Sequence, residues 1–115
     1  MKLLYVCLGN RFRSLLAEAY TRKHTDHEVR SRGTEATRPI HEEVKQILLK
    51  NDLMDYASMN PTQLESEDLE WADRAVFMSQ GNMDYAREEL GFDGEVDIWE
   101  VRDADPGDAL ERGFD

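Results

Sequence analysis

Eight residues set directly after an apolar run, Cys7-Leu8-Gly9-Asn10-Arg11-Phe12-Arg13-Ser14, constrain this chain more than any other stretch. Leu3-Leu4-Tyr5-Val6 leads in and a helical pattern from Leu15 to Thr21 leads out, so the eight read as a loop between a strand and a helix. At such a turn the loop N–H groups and the first N–H groups of the helix converge, and the helix dipole adds positive potential, so an anion is expected there. Five residues separate Cys7 from Arg13. A loop of that length curls into a cradle with the sulfur at its floor and the guanidinium at its rim, and Gly9 is expected to take a backbone angle that a Cβ would resist.

The residue types then imply chemistry. Oriented N–H dipoles favour negative charge, so the Cys7 thiol is expected to ionise more readily than a free one and to act as a nucleophile. Arg13 grips two oxygens of a tetrahedral oxyanion bidentately and stabilises the added charge of a transition state. Ser14 at the helix start has a hydroxyl to donate to the sulfur, and Asn10 an amide to tie the loop to its neighbours. A single cysteine after a strand also fits a small buried hydrophobe. Gly9, Asn10, Arg13 and Ser14 in this order shift the balance toward the nucleophile.

At 115 residues the chain suits one domain, residues 1–115, with one core. No apolar run reaches a membrane span, and the N-terminus lacks the layout of a signal peptide, so a soluble, cytoplasmic protein away from membranes is expected. One cysteine agrees with a reducing compartment. The net charge of −11, with 25 acidic against 14 basic residues, disfavours nucleic acid as a partner. Ten basic residues are Arg and four Lys, a balance that fits a salt-rich cytoplasm and plain solubility alike. His24 and His27 have no partner at metal or triad spacing, so no metal and no cofactor are expected.

Along the chain, Lys2–Cys7 reads as a strand covered on both faces, and about 13–24 as a helix with Leu16, Ala19 and Tyr20 on its buried face. Residues 28–31 read as a short edge strand ending at Gly33. Pro39 opens a helix bearing Val44, Ile47 and Leu48. Residues 51–63 lack a period and read as a loop near the site, with Met54, Tyr56 and Met59 covering the core. A short acidic helix, about 66–71, precedes a strand at 74–78. Ser79 caps a helix that stops at Gly91, and 96–101 forms a last edge strand. This alternation predicts an α/β fold of three layers, with a parallel sheet, helices on both faces and ligand at the strands' carboxyl ends.

Val6-Cys7-Leu8-Gly9-Asn10 with Arg13-Ser14 and Ala17-Glu18-Ala19 resembles the signature of the low-molecular-weight protein tyrosine phosphatases. Ser31-Arg32-Gly33-Thr34 resembles the family's Ser-Ala-Gly-Thr, and Asp68 to Asp73 with Val76-Phe77-Met78 extends the likeness over nearly the whole chain. The resemblance implies a four-stranded parallel sheet and hydrolysis of a phosphorylated protein or small phosphomonoester, releasing inorganic phosphate. Cys7 is the implied nucleophile and Arg13 the implied phosphoryl ligand. Leu8, Gly9, Asn10, Arg11, Phe12 and Ser14 form the rest of the binding loop. It also implies an Asp general acid in an Asp-Pro loop. Asp105 precedes Pro106, whereas Asp103 lies at the usual distance after Val101; Asp103 is slightly preferred because the strand sets reach while proline only stiffens.

Departures bear on substrate. Arg11 and Phe12 stand where the family commonly has an aliphatic residue and a second Cys, and the aromatics flanking a phosphotyrosine pocket have no counterpart at Ala36, Thr37, Asp105 or Gly107. The family's long last helix is expected to be absent here or reduced to a stub at about 109–113, so the fold is expected to be shortened at the C-terminus, leaving a sheet face partly exposed or covered by another chain. Two other functions fit the same loop. One is a non-catalytic phosphate- or phosphoprotein-binding module; the other is an arsenate reductase that uses an external thiol, since one cysteine cannot relay electrons internally.

Overall fold

The computed structural model describes residues 1–40, 42–94 and 96–98. Strands and helices alternate: β1 (Lys2–Cys7), α1 (Arg13–His24), β2 (Glu28–Gly33), α2 (Glu42–Lys50), a 3-10 turn (Met54–Tyr56), α3 (Ser66–Trp71), β3 (Arg74–Phe77), α4 (Gln80–Leu90) and β4 (Val96–Ile98). The strand order is β2-β1-β3-β4, and every pairing is parallel. β2, β1 and β3 form the body of the sheet. β4 adds only Val96–Ile98 beside Ala75–Phe77, and residues 99–101 of the expected strand lie outside the described residues.

β1 is apolar throughout because it is central and both of its faces are covered. Leu3, Tyr5 and Cys7 enter one core with Leu15, Leu16, Val44, Leu48 and Val76. Leu4 and Val6 alternate into a second core with Leu64, Leu69, Phe77 and Ala86. Strand parity thus decides that the Cys7 side chain lies on the α1 side of the sheet.

Helix α1 is buried more widely than a single stripe: Leu15, Leu16, Ala17, Glu18 and Ala19 are all enclosed, while Tyr20 is only partly so. A second surface beyond the sheet accounts for it. Glu18, 1% exposed, accepts from Ser31 Oγ at 2.9 Å on β2 and from the Ser58 N–H at 2.6 Å just after the 3-10 turn. Arg22 pairs with the same carboxylate at 3.3 Å and donates to the Tyr56 carbonyl at 3.2 Å. A buried carboxylate needs such partners, and these clamp the segment after α2 against α1.

Other expectations shift in detail. Pro39 and Ile40 precede α2 rather than forming its first turn, and the helix is described from Glu42. Met54 packs on the core, whereas Tyr56 and Met59 are each 38% exposed. β2 is an edge strand, as its polar composition implies, and Gln63 makes an isolated parallel bridge to its last residue, Gly33. Ser79 caps α4 by accepting from the Asn82 N–H, and Gly91 ends it in the left-handed region at φ 68°.

Candidate active site

β1 delivers Cys7 to the carboxyl edge of the sheet and α1 begins six residues later at Arg13. Cys7 is 2% exposed, lying beneath the loop rather than on its rim. Its Sγ accepts from the Asn10 N–H at 3.2 Å and lies 2.9 Å from Ser14 Oγ. Asn10 Nδ2 donates to Ser14 Oγ at 2.8 Å, leaving the hydroxyl's own proton for Sγ or for the Arg32 carbonyl at 3.4 Å. Sulfur is the nearer acceptor. When the sulfur is ionised it accepts from both neighbours; as a thiol it donates to Ser14 while the hydroxyl turns toward Arg32.

Asn10 holds this arrangement. It is 2% exposed and takes φ 52°, a left-handed angle that Asn tolerates better than most residues. Its Oδ1 accepts from the Thr62 N–H at 2.8 Å, so one amide ties the loop both to α1 and to the segment beside β2. The left-handed turn expected of Gly9 therefore falls on its neighbour, and among the described residues Gly91 is the glycine with positive φ. Gly9 is constrained differently: a Cβ there would lie 3.0 Å from Arg11 Cγ and 3.1 Å from Cδ.

The start of α1 carries positive potential that its own first turn does not offset. Its N-cap, Phe12, makes no side-chain cap, and the first turn contains no acid. By contrast, α3 has a capping box from Glu65 and Asp68, and α4 has Ser79. The first N–H groups of a helix have no partner within it, so where no side chain caps them they favour a bound anion.

Arg13 is 6% exposed and Nη1 donates to the Met78 carbonyl at 3.2 Å, just past β3. This bond fixes the plane of the guanidinium. Phe12 turns into the α1-side core, and Leu8 is 46% exposed on the outside of the loop, so both belong to the loop through their backbone more than their side chains. Arg32, which replaces the small residue of the motif, turns away: Nε donates to Asp68 Oδ1 at 3.1 Å and Nη1 to the Ser31 carbonyl at 2.8 Å. The same carboxylate takes Arg30 at 3.0 Å, and Arg30 stacks on Trp71 with its guanidinium carbon 4.2 Å from the ring centroid. The bond to Glu67 raises the Arg30 pKa above its ordinary value.

Several supporting residues carry no signal in the linear sequence. Gln63 Nε2 donates to the Thr34 carbonyl at 2.7 Å while its Oε1 accepts from the Ala36 N–H at 3.0 Å. Thr34 and Glu35 donate their N–H groups to the Cys7 and Leu8 carbonyls at 3.0 and 2.7 Å. Thr62, Gln63 and Met78 act through backbone groups or long-range contacts, which no local pattern marks. Asp103 and Asp105 lie outside the described residues. Among the described residues no group of three or more His, Cys, Asp or Glu is arranged to hold a metal, and no helix is long and apolar enough to cross a membrane.

A cysteine at the floor of a strand-loop-helix cradle, on a parallel α/β sheet, defines a cysteine-dependent phosphatase. The family model described as low molecular weight phosphotyrosine protein phosphatase matches residues 2–109, and the chain belongs to that family. Among solved structures it is similar to SP-PTP, a low molecular weight protein tyrosine phosphatase from Streptococcus pyogenes. That match has a TM-score of 0.85 and 22% identity over 96% of this chain and 83% of the other. The YwlE arginine phosphatase from Geobacillus stearothermophilus aligns with TM-score 0.70 and 23% identity, over 96% and 81% of the two chains. A thioredoxin-dependent arsenate reductase from Corynebacterium glutamicum aligns with TM-score 0.70 and 20% identity, covering 96% of this chain and 54% of that one. At these identities the likeness concerns the fold, which serves three different substrates. A search of curated protein sequences finds no match.

Proposed function

We propose that this protein hydrolyses phosphomonoesters through a phosphocysteine intermediate on Cys7. The observation that carries the reading is the Sγ atom beneath its loop, with the Asn10 N–H at 3.2 Å and Ser14 Oγ at 2.9 Å. Both groups hold a lone pair of the sulfur in a defined direction, as an in-line nucleophile requires.

In the first step Sγ attacks phosphorus, the S–P bond forms and the ester P–O bond breaks. The phosphoryl oxygens take the loop N–H groups and the guanidinium of Arg13, whose plane the Met78 bond has already set, so little reorganisation accompanies charge development. The leaving oxygen takes a proton from Asp103 or Asp105, with Asp103 preferred for its distance from the last strand. In the second step that carboxylate accepts a proton from water, water oxygen attacks phosphorus, and the S–P bond breaks to release inorganic phosphate and the thiolate. The scheme calls on no metal or cofactor. It suits a single domain in a reducing, cytoplasmic setting, acting on a phosphorylated protein or a small ester.

The test is turnover of p-nitrophenyl phosphate by the parent, Cys7→Ser, Asp103→Ala and Asp105→Ala proteins. Loss of turnover in Cys7→Ser and a drop of about 100-fold in one Asp variant are expected. A Cys7→Ser protein with the parent's rate overturns the reading. Tight phosphate binding by the parent with no turnover assigns the chain instead as a phosphate-binding module.

A further inference from the structure

Arg11 departs from the pattern set by the other half-buried arginines. Arg22, Arg30 and Arg32 each reach a carboxylate within 3.3 Å. Arg11 is half-buried, and among the described residues its Nε is enclosed with no hydrogen-bond partner and it forms no ion pair. This occurs in a chain with 25 acidic residues, where carboxylates are plentiful.

Its position is also constrained. The stem folds back across Gly9, with Cγ and Cδ 3.0 and 3.1 Å from the site a Cβ would occupy, so Gly9 makes room for this conformation. The stem is thereby held against Gly9, within the loop that begins at Cys7. Among the described residues the two terminal nitrogens of Arg11 make no hydrogen bond and are not among the enclosed atoms, so they are open to a ligand anion. Arg32 does not share this property because Asp68 occupies it. The phosphoryl group itself is gripped by the loop and Arg13 in the reading above.

We propose that Arg11 is a specificity-determining residue that binds a second anionic group, a carboxylate or phosphate, on the phosphomonoester substrate. This rests on the phosphomonoesterase reading and adds the substrate class. A planar guanidinium takes such a group bidentately, and on a chain of net charge −11 a local cation favours the approach of an ester that carries an anionic group besides its phosphate.

The experiment compares kcat/KM for 3-carboxyphenyl phosphate and its uncharged isostere 3-carbamoylphenyl phosphate, in the parent, Arg11→Gln, Arg11→Lys and, as a remote charge control, Lys50→Gln. A second pair, phosphotyrosine peptides flanked by Glu or by Gln, separates a free acid from an acidic protein segment as the source. The acid-to-amide ratio in at least one pair is expected to fall about tenfold in Arg11→Gln, partly in Arg11→Lys, and to hold in Lys50→Gln. The pair that shows the fall identifies the source. Equal ratios in parent and Arg11→Gln for both pairs overturn the proposal, as does an equal fall in Lys50→Gln. Titrating the same pairs into Cys7→Ser and Cys7→Ser/Arg11→Gln proteins reads the selectivity as affinity, so absence of turnover defeats the phosphatase reading without deciding this one.

Discussion

A Cβ placed on Gly33 would lie 2.7 Å from the backbone nitrogen of Asn10, closer than side-chain carbons approach backbone atoms. It would also meet Gly9 C and Leu8 O at 2.8 Å. The end of β2 therefore supports the back of the nucleophile loop through direct backbone contact. Gly33→Ala is expected to push the loop off its geometry, lowering kcat/KM by about 100-fold and stability by about 1–3 kcal/mol. Parallel rate and urea-unfolding measurements check this; a larger loss in stability than in rate would place the damage in the sheet instead.

Ser14 is the group nearest to the sulfur that is able to reorient with its charge. Ser14→Ala removes that donor and leaves Asn10 Nδ2 without its acceptor. Hydrogen bonds to charged groups contribute about 1.5–3 kcal/mol, so kcat for p-nitrophenyl phosphate is expected to fall about 10- to 100-fold. Unchanged kcat would show that the hydroxyl serves the Arg32 carbonyl and not the nucleophile.

Asn10 combines a backbone angle with two side-chain bonds, and two variants separate the contributions. Asn10→Gly keeps access to φ 52° but loses the bonds to Ser14 and Thr62, whereas Asn10→Ala loses both features. Asn10→Ala is expected to be less stable than Asn10→Gly by about 1 kcal/mol, with both weakened in turnover. Equal stability in thermal unfolding would show that the angle relaxes in the variant.

Tyr5 lies in the core beside α1, and its hydroxyl is 2.7 Å from Thr21 Oγ1. Burial raises its pKa above the ordinary value of 10.0, against a smaller lowering by the Thr21 bond. The unfolded chain ionises first as pH rises, so the folded state loses stability above about pH 10. Tyr5→Phe is expected to be less stable than the parent by about 1 kcal/mol at pH 7, with the gap narrowing above pH 10. Urea midpoints at pH 7 and 10.5 test it; a gap that widens with pH contradicts the sign.

Much of the architecture is legible without coordinates. The apolar run of β1 marks a central strand, and Ser79 and Gly91 mark the limits of α4, because local chemistry decides these features. The Cys7 to Ser14 loop is legible for the same reason: spacing within one turn of chain limits where a thiol, an amide and a guanidinium can go.

What the linear order does not contain is which distant groups hold that loop. Asn10, and not Gly9, takes the left-handed angle because Thr62 and Ser14 fix its amide on two sides. Arg32 is claimed by Asp68, and Arg11 is left with none of the described carboxylates. These outcomes depend on which segments the parallel pairing of β2, β1 and β3 brings to one edge. Residue order and periodicity determined the elements and the reactive thiol. Long-range packing alone decided how that thiol is positioned and which of the neighbouring charges remain available to a ligand.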